Sequence, residues 1–560
     1  MVLTSGTRAG AASRRPVSAK WLVVLLAAVL VVAGGGAVAL LAKKDTRSAE
    51  ARDAANAYLA AWSRADYAAM AAHANVPEAT LRFVLEPIRS NLEVERQRYR
   101  AGELVRTDDT ATVPFDADLT LAGVGGYRYA SDLRLDRGAD EVWRVAFVPT
   151  AVHPELTPGA TLARESVVGK RGRLLDRNGA VLRGADTDLD SNLLGEIGTF
   201  DAEQAKAAGA GFEAGDRGGV SGLERAYNAP LAGKPGADIV VRAQGSEDRS
   251  VQSYPATDGK DVRTTLDLRY QEAGRAGLAG LGTTAALVAI DAKTGGVLSV
   301  VNYPAGGAST AIRGQYPPGS TFKIVTTVAA LLKGYDENTP LNCPATTFAG
   351  GRSFKNAEDE AFGPINLFQA FYHSCNTAFV NLREQLTDAD MVKAANLLGF
   401  DGKQPLPIES FGGTFPTGDG VDPYAAAFGQ DVVEASPMQM ASVAAAMAGG
   451  TWHRPYVVGP SKDSNELPPN VISQMQGMMR AVVTRGTAES VYFPGEVAGK
   501  TGTAEYGFGR NGEDPPTHAW FAGYRGDVGF AVLVPGGGFG AEVAAPAAAR
   551  FLRALDASSS

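Results

Sequence analysis

The spacing of apolar and polar residues divides the chain into segments of different predicted architecture. Ala55, Leu59 and Trp62 recur at helical spacing, which predicts an amphipathic helix. Apolar and polar residues then alternate through much of 113–147, which predicts the strands of an antiparallel sheet. A helical segment followed by such strands indicates a small α+β domain, which we place at 48–150.

A second segment follows a proline-bearing connector and consists of short apolar runs between turns. Within it, Asp-Arg-Asn-Gly at 176–179 predicts a tight hairpin turn between two short strands. Residues 201–218 are rich in alanine and glycine and favour neither helix nor strand. We place a β-rich domain at 156–258.

The last segment combines strands at its two ends with helices in its middle. Strand-like runs flank turns at both ends, and alanine-rich helical patterns dominate 365–450. The predicted elements are two hairpins, 285–301 and 519–534, and a closing helix, 544–555. Together they predict an α+β domain at 259–556, so the expected fold class is α+β and multidomain.

An apolar run near the N-terminus indicates where in the cell the chain lies. Trp21–Ala42 is an uncharged run of 22 residues, long enough to cross a bilayer once. Basic residues precede it, so the positive-inside rule places residues 1–20 in the cytoplasm and everything after Ala42 outside. A cleaved signal peptide is the competing interpretation. We expect a single-pass membrane protein with a transmembrane anchor at 21–42.

Composition narrows the functional classes. The 560 residues carry a net charge of −8, which argues against a general nucleic-acid binder. No histidine and cysteine cluster has metal-ligand spacing, so we expect neither a metal nor a cofactor. Cys343 and Cys375 are the two cysteines, and either a disulfide or two buried thiols fits the sequence.

Ser320 and Lys323 are the first candidates for a pair of catalytic residues. These residues lie three apart at the start of an apolar run, so a helix would bring their side chains together. An apolar surround disfavours a charged ammonium, so Lys323 is a candidate base. A serine hydroxyl needs such a base to become a nucleophile.

Two further motifs follow in the same predicted domain. Ser374-Cys375-Asn376 comes after a helix-like run, and Lys500-Thr501-Gly502 lies in a strand-like stretch. Ser-x-x-Lys, a Ser-x-Asn type triplet and Lys-Thr-Gly together are the signature of class A β-lactamases and penicillin-binding proteins. One triplet alone is weak evidence, whereas all three in this order predict an acyl-transfer site.

The C-terminal part resembles the transpeptidase domain of class B, or monofunctional, penicillin-binding proteins. The resemblance extends to 264–271, 316–323, 374–379, 484–488 and 499–505. Residues 170–233 resemble the dimerisation or pedestal domain of that class, and 48–150 resemble the nuclear-transport-factor-two-like domain of its resistance-type members. One departure is Phe428-Gly429-Gln430-Asp431, where the family usually has Gly-Gln-Gly, and it makes the local loop shape uncertain.

The resemblance implies which fold the chain adopts and which molecules it binds. The fold would be that of penicillin-binding proteins and serine β-lactamases, an antiparallel sheet flanked by helices. The substrates would be peptidoglycan stem peptides, and β-lactams would acylate the serine, linking the chain to cell-wall synthesis, cell shape or division, and antibiotic resistance. A separate glycosyltransferase polymerase at the membrane would supply the glycan strands.

The resemblance also implies a role for each motif residue. Ser320 would be the nucleophile, Lys323 its base and Ser374 a proton relay, and Asn376 would orient Lys323 and bind the substrate amide. Lys500 would adjust the electrostatics of the site. Backbone N–H groups of Ser320 and Thr503 would form the oxyanion hole. The substrate-binding residues would be Thr501, Gly502 and Thr503.

Other readings of the sequence are possible. A Ser-His-Asp hydrolase fits poorly, because His373 adjoins Ser374 but no Gly-x-Ser-x-Gly elbow is present. Gly507–Gly512 matches the glycine pattern of a dinucleotide site but opens no helix. With the same chemistry, the chain would instead be a D,D-carboxypeptidase or a β-lactamase. From another class, it would be a β-lactam sensor or a non-catalytic cell-wall scaffold.

Overall fold

Two compact units make up the chain in the computed structural model, which describes residues 34–420, 422–461, 463–507 and 515–558. The first unit extends to Ala163 and includes Val240–Val251, and the second comprises Arg164–Ile239 and the residues from Gln252 onward. The finer domain boundaries given above stay predictions.

The first helix begins inside the apolar N-terminal run. Helix α1 spans Gly34–Ser63, so residues 21–33 of the predicted anchor lie outside the described residues. Within the described ranges, no helix combines the length and the apolar character needed to cross a membrane. Further along α1, the predicted apolar face is confirmed, because Ala55, Leu59 and Trp62 are buried.

The first unit combines three helices with an antiparallel sheet. Trp62 of α1 stacks on Tyr99 of the sheet, with ring centroids 3.9 Å apart, and also contacts Phe115. The predicted alternation is confirmed in the strand that contains Phe115, whose residues alternate between buried and exposed. The elements are α2 Tyr67–Ala71, α3 Glu78–Asn91, β1 Val94–Ala101, β2 Val105–Thr107, β3 Thr110–Leu121, β4 Gly125–Arg137 and β5 Trp143–Val145. The sheet order is β1-β3-β4-β5, and β2 pairs with β3.

Short elements fill the segment that precedes the C-terminal α+β domain, which we call the large domain. They are β6 Thr161–Val167, β7 Leu174–Leu175, α4 Thr187–Leu189, β8 Ile197–Thr199, α5 Ala202–Ala208, β9 Arg217–Gly219, α6 Gly222–Ala226, α7 Asn228–Ala232, β10 Gly236–Arg242, β11 Arg249–Tyr254 and β12 Val262–Arg263. Buried Glu224 joins α6 to the residues on either side of β7, because it accepts hydrogen bonds from Arg171 at 2.6 Å and Arg183 at 3.1 Å.

The Asp176–Gly179 turn forms, but not between two strands of a hairpin. The Asp176 carboxylate accepts hydrogen bonds from the backbone N–H groups of Asn178 and Ala180, each at 2.8 Å, which closes the turn. However, β7 pairs in parallel with β12, and Val181 forms only an isolated bridge with Leu175. The prediction of a second hairpin strand is therefore wrong, because β7 pairs mainly with β12, which lies far along the chain.

A five-stranded antiparallel sheet forms the centre of the large domain. Its strands are β13 Ala285–Asp291, β14 Val297–Tyr303, β23 Val497–Glu505, β24 Thr517–Arg525 and β25 Val528–Val534. Their order is β14-β13-β25-β24-β23, so both predicted hairpins are confirmed and lie side by side. Helices α8 Leu268–Leu278 and α17 Ala544–Ala557 pack together against the sheet, and α15 Pro437–Gly449 also packs against it.

The remaining elements form the helical middle of this domain. Short two-stranded sheets are inserted between its helices. The helices are α9 Thr310–Arg313, α10 Lys323–Lys333, α11 Leu367–Tyr372, α12 Asn376–Arg383, α13 Asp388–Leu397, α14 Pro423–Ala426 and α16 Pro469–Arg485. The strands are β15 Pro340–Cys343, β16 Thr346–Ala349, β17 Arg352–Lys355, β18 Gly363–Asn366, β19 Gly413–Thr414, β20 Glu434–Ala435, β21 Thr451–His453 and β22 Ser464–Glu466.

Candidate active site

Ser320 and Lys323 lie at the junction of a 3₁₀ turn and a buried helix. The turn covers Gly319–Phe322, and α10 follows from Lys323 to Lys333, ending at Gly334 in a left-handed conformation. The predicted helix is therefore confirmed. The Lys323 amine lies 3.0 Å from the Ser320 hydroxyl oxygen, as the three-residue spacing predicts.

Four polar atoms surround the Lys323 amine. Besides Ser320, it contacts the Ser374 backbone oxygen and the Asn376 amide oxygen, each at 2.6 Å, and the Ser374 hydroxyl at 3.3 Å. A neutral amine has two N–H groups and one lone pair. The two short contacts to carbonyl-type oxygens use both N–H groups, so the lone pair is left for the proton of a hydroxyl.

Burial favours that neutral form. The Lys323 side chain is fully buried, and desolvation, followed by the nearby positive charge of Lys500, holds its pKa well below the usual lysine value. The rings of Phe379 and Phe428 flank the amine, with centroids 5.4 and 5.8 Å away. The contact, the burial and the lowered pKa are all compatible with the predicted role of Lys323 as a base.

Ser374 lies in the short connection between α11 and α12, as expected for a helix–loop boundary. Its backbone has a φ of 61°, a left-handed conformation that is uncommon for residues other than glycine. This conformation accompanies the approach of both its carbonyl and its hydroxyl to Lys323. Next to it, Cys375 forms a disulfide with Cys343, which settles the alternative left open by the sequence.

Lys500 occupies the strand that follows the helical middle. It is fully buried in β23, its amine donates to the Thr501 carbonyl oxygen at 3.1 Å, and it lies 5.9 Å from the centre of the Phe371 ring. Desolvation lowers its pKa to about 7. Gly502 and Thr503 continue the strand, and the Thr503 hydroxyl oxygen accepts a hydrogen bond from the N–H of Gly540 at 3.3 Å.

Thr487 lies at the site, although no sequence motif assigns it a role. Its hydroxyl lies 2.6 Å from the hydroxyl of Thr501, so the two form one hydrogen-bonded pair beside the Lys-Thr-Gly strand. The available signal was its position in 484–488, one of the stretches that resemble the family.

The unusual Gly429-Gln430-Asp431 segment supports the turn that carries Ser320. The Gly429 carbonyl accepts a hydrogen bond from the N–H of Gly319 at 2.9 Å. A Cβ at Gly429 would lie 2.3 Å from the carbonyl oxygen of Gly319, so only glycine fits. Asp431 has a φ of 63°, so it keeps the left-handed conformation expected of the family's glycine.

The competing readings of the site gain no geometric support. The ring of His373 stacks on Phe362, with centroids 3.8 Å apart, and burial lowers its pKa. The basic side chain in contact with Ser320 is that of Lys323. Of the glycine pattern at 507–512, residues 508–512 lie outside the described residues.

Three family profiles match consecutive parts of the chain. Residues 285–553 match the penicillin-binding protein transpeptidase domain. Residues 183–264 match the penicillin-binding protein dimerisation domain, and 50–160 match the NTF2-like N-terminal transpeptidase domain.

Two mycobacterial relatives are similar over much of this range, and both are called peptidoglycan D,D-transpeptidase PbpA. The relative from Mycolicibacterium smegmatis is 34% identical over 257 residues, 41% of this chain and 51% of the relative. The chain thus spans about half the length of that relative. The relative from Mycobacterium tuberculosis is 30% identical over 347 residues, 50% of this chain and 68% of the relative.

Solved structures share the fold at lower identity. The ceftriaxone acyl-enzyme complex of penicillin-binding protein A from M. tuberculosis matches with a TM-score of 0.53 at 23% identity, covering 69% of this chain and 98% of that one. A structure described as the structural coordination of polymerization and crosslinking by a peptidoglycan synthase complex matches with a TM-score of 0.59 at 24% identity. It covers 71% of this chain and 92% of that one.

Proposed function

Because the chain belongs to the class B penicillin-binding proteins, we propose that it is a serine-type peptidoglycan D,D-transpeptidase that cross-links stem peptides through a Ser320 acyl-enzyme. One observation carries the proposal. A buried lysine with a lowered pKa contacts the candidate nucleophile, and the same amine contacts Ser374 and Asn376 of the second motif.

Acylation follows from these contacts. The Ser320 oxygen attacks the carbonyl carbon between the two D-alanines of a donor stem, and its proton passes to the lone pair of Lys323. The tetrahedral intermediate then collapses. The C–N bond breaks, Ser374 relays a proton to the leaving amine, and the terminal D-alanine departs, leaving an ester on Ser320.

The remaining motif residues bind the parts of the donor that do not react. The backbone N–H groups of Ser320 and Thr503 receive the oxyanion, an interaction in which one donor is worth about 3 kcal/mol. Lys500 and the hydroxyls of Thr501 and Thr503 bind the terminal carboxylate beside Gly502, which has no side chain to obstruct it. Asn376 holds Lys323 and binds the peptide amide.

The second half-reaction distinguishes cross-linking from hydrolysis. In cross-linking, an acceptor amine from a neighbouring stem attacks the ester and forms a new amide, and Ser320 regains its proton. If water attacks instead, the enzyme is a D,D-carboxypeptidase, or a β-lactamase where the ester comes from a β-lactam. Mass spectrometry of muropeptides incubated with the purified chain separates these outcomes, since only cross-linking yields a dimer.

The proposed setting is the outer face of the cell membrane. The apolar run at 21–42 anchors the chain, with residues 1–20 inside and the catalytic domain outside. The similarity to a structure of a peptidoglycan synthase complex supports a separate glycosyltransferase as the partner that supplies glycan strands. A disulfide beside the site is compatible with an oxidising compartment.

Covalent labelling tests the nucleophile. A fluorescent penicillin should label the purified full-length chain, and Ser320→Ala should abolish the label because no other residue forms the ester. Ser90→Ala, which removes an exposed hydroxyl from α3, is the matched control and should label like the natural chain. A Ser320→Ala protein that folds and still becomes labelled would overturn the assignment.

A further inference from the structure

Five arginines line one groove of the first unit, outside the site described above. The groove has a volume of about 690 Å³ and lies where the end of α1, helix α3 and the edge strand β1 meet. Its basic lining consists of Arg64, Arg89, Arg96, Arg98 and Arg128, and we call it the arginine groove.

The groove is basic within an acidic domain. Over residues 51–160, 16 carboxylate side chains outnumber 12 arginines, and this stretch contains no lysine. Only two carboxylates, Glu95 and Asp118, lie among the groove residues. Asp118 is already engaged, because it accepts a hydrogen bond from Arg128 at 3.2 Å.

The other four arginines of the groove differ from Arg128 in this respect. Among the residues that the structure describes, Arg64, Arg89, Arg96 and Arg98 form no ion pair, and all four are exposed. Four like charges around one concave surface repel each other unless an anion lies between them. The groove is therefore complementary to a ligand that carries several negative charges.

The geometry of β1 favours an elongated anion. Arg96 and Arg98 alternate with Tyr99, which points to the opposite face and stacks on Trp62, so both arginines lie on the outer face. Outward residues along a strand repeat about every 6.6 Å. Charges at such a regular spacing match a chain of anionic groups better than a single ion.

Arginine also indicates the type of anion. A guanidinium group is a planar fork that binds the oxygens of phosphate or carboxylate in pairs, whereas lysine is a point charge. We propose that the arginine groove binds a linear phosphodiester polymer of the cell envelope. The choice of polymer rests on the extracytoplasmic setting proposed above, whereas binding itself can be tested on the purified chain.

The test uses the full-length chain in detergent and a fluorescently labelled poly(glycerol phosphate) as the probe. Fluorescence anisotropy should show saturable binding that weakens as salt is added, since each contact releases counterions. Arg96→Gln combined with Arg98→Gln should weaken binding by about tenfold or more, because two charge-assisted contacts are lost.

The control removes the same charge from the same domain. Arg52 lies on α1 and Arg134 on β4, and neither lines the groove or follows the outward row of β1, so Arg52→Gln combined with Arg134→Gln should leave binding unchanged. Both double variants should keep penicillin labelling of Ser320, which shows that the large domain is folded and keeps this test separate from that of the catalytic proposal.

Three results would overturn the proposal. The first is binding that is equally strong in the Arg96→Gln, Arg98→Gln variant, and the second is absence of binding by the natural chain. The third is binding to vesicles of phosphatidylcholine and phosphatidylglycerol without binding to the polymer, which would assign the groove to the lipid surface.

Discussion

At the scale of single residues, the site depends on two buried lysines that need opposite protonation states. In the proposed mechanism, Lys323 must be neutral to accept the Ser320 proton, and Lys500 must be charged to attract a carboxylate. Both are fully buried, so desolvation lowers both pKa values. The charge on Lys500 further lowers the pKa of Lys323, so each state supports the other.

This arrangement predicts a bell-shaped pH dependence for the acylation rate constant of a carboxylate-bearing β-lactam. Activity should rise with pH as Lys323 loses its proton. It should then fall as pH increases past about 7, where Lys500 becomes neutral and no longer attracts the carboxylate. Stopped-flow measurement of acylation between pH 5 and pH 10 checks both limbs.

Lys500→Arg separates the two limbs. Arginine stays protonated throughout this range, so a variant that retains activity should lose the falling limb and keep the rising one. A falling limb that persists unchanged in this variant would show that another group titrates there.

At the scale of elements, the nucleophile turn depends on the neighbouring segment around Gly429. Gly429→Ala would place a methyl group 2.3 Å from the Gly319 oxygen and would strain a residue with a φ of 77°. The turn must then shift, so penicillin acylation should fall by about a hundredfold, as misplacement of about 1 Å does in enzymes. The rate of fluorescent penicillin labelling measures this.

Asp431→Gly is the matched control for that substitution. It places glycine where the backbone is already left-handed, so it should keep the loop conformation and near-normal acylation. Equal loss of acylation in both variants would mean that the loop acts through the Asp431 side chain, which accepts a hydrogen bond from the Asp422 N–H at 2.9 Å.

The disulfide joins the Ser374 connection to β15 and closes a chain segment with a sequence separation of 32 residues. Removing it frees that segment in the unfolded state. Cys343→Ser combined with Cys375→Ser should therefore lower the free energy of unfolding by about 2–4 kcal/mol. Denaturant unfolding with and without reductant measures this, and reductant should destabilise the natural chain while leaving the variant unchanged.

The sequence predicted the elements that depend on local patterns and could not predict those that depend on distant contacts. The α10 helix, the central hairpins and the order of the three motifs all follow from residue spacing. The pairing of β7 with β12 and the contact between Thr487 and Thr501 depend on residues that only the folded chain brings together. The left-handed Ser374 also has no local signal, because serine rarely adopts that conformation.

At the scale of the whole molecule, the site is built at the expense of stability. A lysine whose pKa falls from 10.5 to about 7 on folding binds its proton more weakly in the folded state. Below pH 7 the folded chain bears the full penalty, up to about 5 kcal/mol, and the penalty disappears as pH rises towards 10.5, where both states are neutral.

Because Lys500 is buried, we expect the natural chain to be less heat-resistant than a variant that lacks this amine and is inactive. Lys500→Met keeps a long side chain against Phe371 and removes the buried amine, so it should abolish acylation yet raise the melting temperature. The gain should be largest below pH 7 and should fade in alkaline solution, which calorimetry at several pH values checks. A melting temperature that falls at every pH would contradict this, whereas the expected gain would mean that evolution has kept a thermally weaker protein for the sake of its chemistry.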